Sequence, residues 1–211
     1  MTQPSDYRPA DTGGLIGPAR EVSEVLSLRA DRMKREGKGR LKVLLYGPPG
    51  VGKTTLADIV ATRLSGNALA VETVSGRNVT IETVRAWSER RMGNLFSEWT
   101  VYIVNEVDLM TQAAQDLLLQ FLDSLPDRTA FIGTSNQKLD LLTGRFSSRL
   151  QHIPVRSPDS DEIAALIGHS WRAIKAEAAQ IAFGSGGNVR AALLDTQTVL
   201  DVAMARKAKR N

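Results

Sequence analysis

The residues with the clearest chemistry lie in the glycine-rich stretch GPPGVGKT, from Gly47 to Thr54. This stretch follows an apolar run, residues 41–46, and precedes a helical pattern, so it joins a predicted strand to a predicted helix. Glycines let backbone N–H groups turn toward an anion, and the following helix adds the positive end of its dipole. The spacing therefore predicts a phosphate loop in which Lys53 reaches the β- and γ-phosphates of a nucleotide and Thr54 binds Mg²⁺.

A carboxylate at the end of another apolar run extends this predicted site. The segment VYIVNEVD, residues 101–108, carries Asn105 and Glu106 where a strand parallel to the first would end. Glu106 is a candidate general base for the attacking water. The position of Asn105 normally holds an aspartate that helps to anchor Mg²⁺, and asparagine keeps one acceptor oxygen but loses the charge. Three interpretations stay open: weakened metal binding, a cap on the following turn, or an alteration introduced to trap ATP.

Polar residues farther along the chain are weaker candidates for the same site. Asn136 ends the apolar stretch FIGTSN, where its amide could orient the lytic water or touch the γ-phosphate, although asparagine also suits turns. Arg145 and Arg149, in GRFSSR, could reach the γ-phosphate of a neighbouring subunit or simply solvate the surface. Arg190 falls in the first turn of a predicted helix, where a cation opposes the helix dipole, and this hints at an anionic partner.

The hydrophobic pattern predicts the elements that would position these residues. Strands are predicted over residues 41–46, 68–74, 100–105, 129–134 and 152–155, and helices over residues 18–36, 52–64, 80–92 and 112–123. From Pro158 to about residue 205 the pattern is helical only. Strands that alternate with helices predict an α/β fold, a P-loop NTPase with a parallel five-stranded sheet flanked by helices, followed by a small all-helical lid domain. The predicted units are a flexible N-terminal arm (1–13), an α/β core (14–157), a helical lid (158–205) and a basic tail (206–211).

The composition limits the other functions that the chain could have. The 211 residues are 42% hydrophobic and 24% charged, which is ordinary for a globular protein with a real core. There are no cysteines, so disulfides and thiolate metal sites are excluded, and the two histidines lie far apart in sequence. No apolar run approaches the roughly 18 residues of a membrane span, and no signal peptide is apparent, so a cytoplasmic location is expected. The net charge of +4 permits an anionic partner.

Taken in order, the motifs resemble those of AAA+ ATPases over about residues 14–200. GPPGVGKTT resembles the Walker A motif, IVNEVD the Walker B motif, TSN sensor 1, SRL the arginine-finger segment and GNVR sensor 2. Within this superfamily the sequence is most similar to the clamp-loader group, which includes replication factor C small subunits and DNA polymerase III clamp-loader subunits. That similarity is carried by VETVSGRNVTIETVR, residues 71–85, and by the segment at residues 105–136.

The resemblance implies that ATP and Mg²⁺ are bound, and it gives roles to individual residues. Lys53 and Thr54 would hold phosphate and Mg²⁺, Glu106 would be the catalytic carboxylate and Asn136 would be sensor 1. The arginine finger, acting on a neighbouring subunit, would be Arg149, with Arg145 as a second candidate, and sensor 2 would be Arg190. The metal would lie near Thr54, Asn105 and Glu106. The remaining residues expected at the nucleotide are Ile16 and Gly17 at the adenine, and Pro48, Pro49, Gly50, Val51, Gly52 and Thr55 in the loop.

The sequence also departs from the pattern of the clamp-loader group. Asn105 replaces an aspartate, which implies slower hydrolysis, and Leu150 replaces the cysteine of the usual S-R-C. Clamp-loader subunits carry a further helical collar after the lid, and we expect this chain to lack it. The family's assembly therefore cannot simply be transferred, although an arginine finger implies a homo-oligomer or a complex with related AAA+ subunits.

Three functions remain open at this stage. The first is a motor that acts on DNA or a DNA-associated protein in replication, repair or recombination. Its candidate DNA contacts are Arg77, Arg85, Arg90 and Arg91. These residues could instead form a solvated helix face. The second is a protein remodeller, which is disfavoured because the loop at residues 75–80 has no aromatic residue. The third is an ATP-dependent scaffold or regulator in which Asn105 keeps ATP uncleaved. No membrane partner is expected.

Overall fold

A parallel five-stranded sheet forms the centre of the protein. The computed structural model describes residues 3–89, 98–136 and 139–208. The strands are β1 (Arg40–Tyr46), β2 (Val71–Ser75), β3 (Thr100–Asn105), β4 (Thr129–Ser135) and β5 (Gln151–Pro154). Their order across the sheet is β2-β3-β4-β1-β5, and every pairing is parallel. The predicted α/β fold with a parallel five-stranded sheet is therefore confirmed.

Helices cover both faces of this sheet and then form a helical region after it. The helices among the strands are α1 (Gly17–Glu36), α2 (Lys53–Ser65), α3 (Ile81–Glu89), α4 (Gln112–Asp123) and α5 (Gly144–Ser147). Those after the sheet are α6 (Ser160–Ser170), α7 (Ala178–Gly184) and α8 (Val189–Ala208). A capping box between Asp159 and Glu162 sets the start of α6, since each side chain accepts a backbone N–H of the other residue.

Successive side chains along each strand lie on opposite faces of the sheet and pack in two separate hydrophobic layers. In β1, Leu41, Val43 and Leu45 pack with α1 and α2 on one face, whereas Leu44 packs with α3 and α4 on the other. All seven residues of β4 are buried, as expected for the central strand of a covered sheet. With both faces covered, polar residues gather where the parallel strands end.

The carboxyl ends of β1, β3 and β4 meet at one edge of the sheet. Tyr46 at the end of β1 is in register with Ser135 at the end of β4, and Gly47 N–H donates to Ser135 O over 3.2 Å. Asn105 ends β3, next to β4. This edge is where parallel α/β sheets place their ligand sites, and it brings together the motifs that the sequence separates.

One predicted strand begins later than expected, and one predicted helix extends beyond the described residues. The second strand begins at Val71 rather than residue 68, because Asn67 Oδ1 accepts the N–H of Leu69 over 2.9 Å and a 3₁₀ turn precedes the strand. The helix predicted over residues 80–92 is described through Glu89, and its last three residues lie outside the described part of the chain.

The N-terminal segment, residues 3–13, is not the loose arm that its polar sequence suggests. The ring of Tyr7 packs edge-on against Trp171, with 5.7 Å between the ring centroids, and its hydroxyl donates to Gly14 O over 2.8 Å. Pro4 is also buried. The expectation of a flexible arm is therefore wrong for residues 3–13, because an aromatic contact distant in sequence holds the segment on the helical region.

Across residues 3–89, 98–136 and 139–208, none of the helices combines the length and the apolar character that crossing a membrane requires.

The packing predicts a large difference between two phenylalanine substitutions. Phe131 in β4 is fully buried, whereas Phe183 in α7 is 81% exposed. Phe131→Ala should lower the free energy of unfolding by about 3–5 kcal/mol, because it leaves a cavity in the core. Phe183→Ala, the matched control, should change it by less than about 0.5 kcal/mol. Urea unfolding of both variants measures the difference, and equal losses would contradict this description of the core.

Candidate active site

Two glycines of the Gly47–Thr54 loop have a left-handed backbone conformation that favours glycine. Gly50 and Gly52 lie in the left-handed region, with φ values of 78° and 97°. A Cβ atom on Gly50 would overlap the Oδ1 atom of Asn188, which lies just before α8. The carbonyl of Gly50 accepts the backbone N–H of Arg190 over 3.2 Å. The loop is therefore joined to the start of α8 by direct backbone contact.

The ammonium group of Lys53 is buried beneath this loop and fully hydrogen-bonded. Its Nζ atom donates to Gly47 O over 2.9 Å, to Pro48 O over 2.7 Å and to Asn136 Oδ1 over 3.0 Å. These three acceptors match the three donors of an ammonium group. The first residues of the loop and the residue after β4 therefore both bind the ammonium group of Lys53 at the edge of the sheet.

The charge of Lys53 is not balanced by a neighbouring carboxylate in the described chain. No ion pair with Lys53 forms among residues 3–89, 98–136 and 139–208. Burial lowers the pKa of Lys53 to about 8; Asp108 and Glu106 oppose this effect, and Arg190 adds to it. A buried cation with a depressed pKa at the mouth of a loop rich in glycine suits an anionic ligand, which would supply the missing negative charge.

The side chain of Asn105 links three elements of the site. Its Oδ1 atom accepts from Thr134 Oγ1 over 3.1 Å and from Thr54 Oγ1 over 3.4 Å. Thr134 Oγ1 in turn accepts the backbone N–H of Glu106 over 3.1 Å. The interpretation of Asn105 as a cap is wrong, because the residue at the cap position of the following turn is Glu106 and Asn105 is bonded to threonines.

Glu106 combines an exposed side chain with an unusual backbone conformation. Its φ of 57° is left-handed, which costs a non-glycine residue about 1–2 kcal/mol. Asn136 Nδ2 approaches Glu106 Oε1 to 3.5 Å, so Asn136 lies between the carboxylate and Lys53. Strain of this kind gathers at functional sites. The structure thus brings Lys53 at the start of α2 together with Asn136 and Glu106, which follow the ends of β4 and β3.

A cavity of about 400 Å³ opens beside the loop, between the core and the helical region. Its lining includes these residues expected from the sequence: Ile16, Gly50, Val51, Gly52, Thr54, Thr55 and Arg190. Gly17, Pro48, Pro49 and Lys53 were expected there too but are not part of the lining. Gly17 begins α1 and packs against Glu162, while Pro48 contributes its carbonyl to Lys53.

Sequence reasoning missed several residues of the cavity wall. Tyr7 and Arg8 line it because the N-terminal segment is docked, and the polar sequence gave no sign of this. Asp58 lines it from α2. The spacing of four residues between Thr54 and Asp58 could have revealed the shared helix face. Leu193 contributes an apolar surface from α8.

The oxygen atoms near Thr54 suit a cation that is also coordinated by the phosphates of a bound ligand. Within the described ranges, no group of three or more histidine, cysteine, aspartate or glutamate side chains could hold a metal ion alone. Thr54, Asn105 and Glu106 offer a hydroxyl, an amide oxygen and a carboxylate. Mg²⁺ commonly binds to one or two protein groups and completes its shell with substrate phosphates and water. The residues present therefore fit Mg²⁺ together with a phosphate ligand.

Four of the remaining candidate arginines, Arg77, Arg85, Arg145 and Arg149, do not line the cavity. Arg149 forms a two-pronged ion pair with Asp123, with Nε–Oδ1 and Nη2–Oδ2 distances of 2.8 and 3.3 Å, and this pair lowers the pKa of Asp123. Arg145 is exposed in α5, Arg77 is exposed in the 3₁₀ turn before α3, and Arg85 is exposed in the middle of α3. The other two candidate DNA contacts, Arg90 and Arg91, lie outside the described residues.

Comparison with known proteins gives a consistent family. The model of the AAA family, ATPases associated with various cellular activities, matches residues 43–156. Replication factor C subunit 4 of Encephalitozoon cuniculi is 29% identical over 131 residues, which cover 60% of this chain and 40% of that protein. Replication-associated recombination protein A of Haemophilus influenzae is 29% identical over 174 residues, which cover 77% of this chain and 38% of that protein. The chain thus spans about two fifths of the length of these relatives.

Solved structures agree with this family. The RuvB Holliday junction branch migration motor of Thermotoga maritima matches with a TM-score of 0.77 and 26% identity, over 95% of this chain and 67% of that chain. A DNA polymerase III gamma subunit-related protein of Thermotoga maritima matches with a TM-score of 0.56 over 76% of this chain and 56% of that chain. At 16% identity, this second match supports the fold alone.

The depressed pKa of Lys53 predicts a pH-dependent stability. The folded protein releases this proton near pH 8 and the unfolded chain near 10.5, so between these values the unfolded state binds more protons and stability rises with pH. From pH 7 to pH 9 the free energy of unfolding should rise by about 1 kcal/mol relative to a Lys53→Met variant. Chemical denaturation of both proteins without nucleotide tests this, and parallel pH profiles would contradict the burial of a charged Lys53.

Proposed function

The chain belongs to the AAA family of ATPases, and on that premise we propose that it binds Mg²⁺-ATP and hydrolyses it slowly between the subunits of an oligomer that acts on DNA. The observation that carries this proposal is the buried ammonium of Lys53, with its three acceptors and its depressed pKa, beside a cavity of about 400 Å³. A phosphate chain supplies the negative charge that this group lacks. The cavity has room for the nucleoside half of the same ligand.

The residues of the site divide the work between binding and proton transfer. The loop amides and Lys53 bind the phosphates, and Thr54, Asn105 and Glu106 would hold Mg²⁺, which supplies electrostatic stabilisation of the phosphate oxygens when bound. The exposed carboxylate of Glu106 accepts a proton from the attacking water. The amide of Asn136, which contacts both Lys53 and Glu106, orients that water relative to the γ-phosphate.

The neutral side chain of Asn105 is the reason for proposing slow rather than fast ATP hydrolysis. Its neutral oxygen is already an acceptor for Thr134 and Thr54, and it brings no negative charge toward a cation. At an effective dielectric constant near 20, a lost charge pair at 4 Å corresponds to about 4 kcal/mol before compensation by solvent. This observation also favours a second candidate function, in which the protein holds ATP without turnover and acts as an ATP-dependent scaffold or regulator.

Action on DNA is proposed from the relatives and from exposed basic residues. The replication factor C subunit and the RuvB branch migration motor are named for replication and for Holliday junctions. In this chain, Arg77 is exposed in the turn before α3 and Arg85 is exposed in the middle of α3, and both are available to DNA phosphates. We also propose the division into a nucleotide-binding core (14–157) and a helical lid (158–205), with the cavity between them.

The proposal that ATP is hydrolysed between subunits rests on Arg149. Its guanidinium pairs with Asp123 at the surface, and exposed ion pairs contribute little to stability, so the pair can be released at small cost when a neighbouring subunit binds. The freed Arg149 then contacts the γ-phosphate bound by that neighbour. Arg145, exposed on α5, is the second candidate for this contact.

Steady-state ATP turnover with and without primed DNA tests this proposal. Turnover of the unaltered protein should rise with DNA, and Arg149→Ala should lower it by roughly 1,000-fold. The matched control is Arg63→Ala, because Arg63, near the end of α2, forms a similar two-pronged pair with Asp31 of α1. Equal effects of the two substitutions would contradict the role of Arg149.

The same assay separates the two candidate functions. If the protein binds Mg²⁺-ATP tightly without turnover in any condition, the scaffold function is the correct one. In that case Asn105→Asp should produce measurable turnover, because it restores a charged metal ligand. A protein that binds no ATP would contradict both.

A further inference from the structure

Asp58 is an acidic residue in the cavity wall that the proposed reaction does not use. It lies on α2, four residues after Thr54 and three after Thr55, so the three side chains share one face of the helix. All three line the cavity. At 1.5 Å per residue, Asp58 is about 6 Å farther along the helix axis than Thr54. It is therefore one helical turn beyond the residues proposed to bind phosphate and metal.

The carboxylate of Asp58 has no partner in the described part of the chain. Other acidic side chains on the helices of the core, such as Asp31 and Asp123, are each paired with an arginine. Asp58 forms neither an ion pair nor a side-chain hydrogen bond among residues 3–89, 98–136 and 139–208, and it is exposed to solvent. Burial by the surrounding protein raises its pKa. A carboxylate in this setting is stabilised by any hydrogen-bond donor that a ligand brings.

The rest of the wall indicates which part of a nucleotide lies near Asp58. Leu15 and Ile16 from the start of α1 and Leu166 and Leu193 from the helical region give the cavity an apolar surface that suits a flat purine ring. Asp58 lines the same cavity from α2, one helical turn beyond Thr54, and adds a carboxylate to its wall. An ionised carboxylate only accepts hydrogen bonds. It therefore requires a donor on the nucleoside, either a ribose hydroxyl or the 6-amino group of adenine.

We propose that Asp58 is a specificity-determining residue that accepts a hydrogen bond from the nucleoside half of ATP and selects ATP over nucleotides that lack this donor. The inference rests on the proposed binding of ATP at this site. Asp58 is exposed to solvent, and a nucleotide bound in the cavity would shield it from water. A ligand without the donor then leaves the carboxylate desolvated and unpaired, and sites with an unpaired polar group reject such ligands. An oxygen atom in place of the 6-amino group would in addition repel the carboxylate.

Binding constants for three nucleotides distinguish the two possible donors. The dissociation constants of ATP, dATP and inosine triphosphate, each with Mg²⁺, are measured by titration calorimetry. dATP lacks the 2′-hydroxyl, and inosine triphosphate carries an oxygen in place of the 6-amino group. The unaltered protein should bind ATP about tenfold more tightly than at least one of the two analogues. A preference over dATP identifies the ribose hydroxyl, and a preference over inosine triphosphate identifies the amino group.

The variants Asp58→Asn and Asp58→Ala test whether Asp58 causes this preference. In both, the ratio of the analogue and ATP dissociation constants should fall to within about twofold of one. The matched control, Asp116→Asn, replaces an exposed aspartate on α4 outside the cavity and should keep the ratio of the unaltered protein. Thermal unfolding of all variants verifies that they are folded.

A preference that persists in both Asp58 variants, or an unaltered protein that binds the three nucleotides equally, would overturn the inference while leaving ATP binding intact. If the unaltered protein binds none of the three nucleotides, the proposed function itself fails, and the inference fails with it.

Discussion

The burial of one ammonium group, that of Lys53, is the constraint around which the site is arranged. A buried ammonium is costly unless each of its donors finds an acceptor. Two of the acceptors are loop carbonyls and the third is the amide of Asn136, which fixes the loop after β1 relative to the end of β4. Hydrogen bonds alone do not replace a counter-charge, and burial lowers the pKa of Lys53 to about 8 despite the opposing effect of Asp108 and Glu106. The site is therefore prepared for an anion.

The same loop couples the sheet to the helical region. Because Gly50 has no side chain, Asn188 can approach it closely, and the Gly50 carbonyl bonds to the backbone of Arg190. On the other side of the cavity, Tyr7 contacts Trp171 and Gly14 and so joins the N-terminal segment to the helical region and the start of α1. The cavity is thus formed by three parts of the chain. Movement of any one of them would change the space available to a nucleoside.

Local patterns in the sequence were sufficient for the fold and for the centre of the site. The loop spacing located Lys53, and the apolar runs located the strand ends that carry Glu106 and Asn136. Contacts between distant segments could not be predicted in this way. The docking of Tyr7 on Trp171, the threonine partners of Asn105 and the placement of Asp58 in a wall shared with the helical region all depend on tertiary packing.

The most direct measurement of this account is the dissociation constant of Mg²⁺-ATP for the unaltered protein and for Lys53→Met, determined by titration calorimetry at neutral pH. Methionine preserves much of the side-chain volume but removes the charge and all three donors. If the buried ammonium group binds the phosphates, the substitution should weaken the binding of Mg²⁺-ATP by about 100-fold. Equal affinities in the two proteins, or no binding by the unaltered protein, would contradict the account.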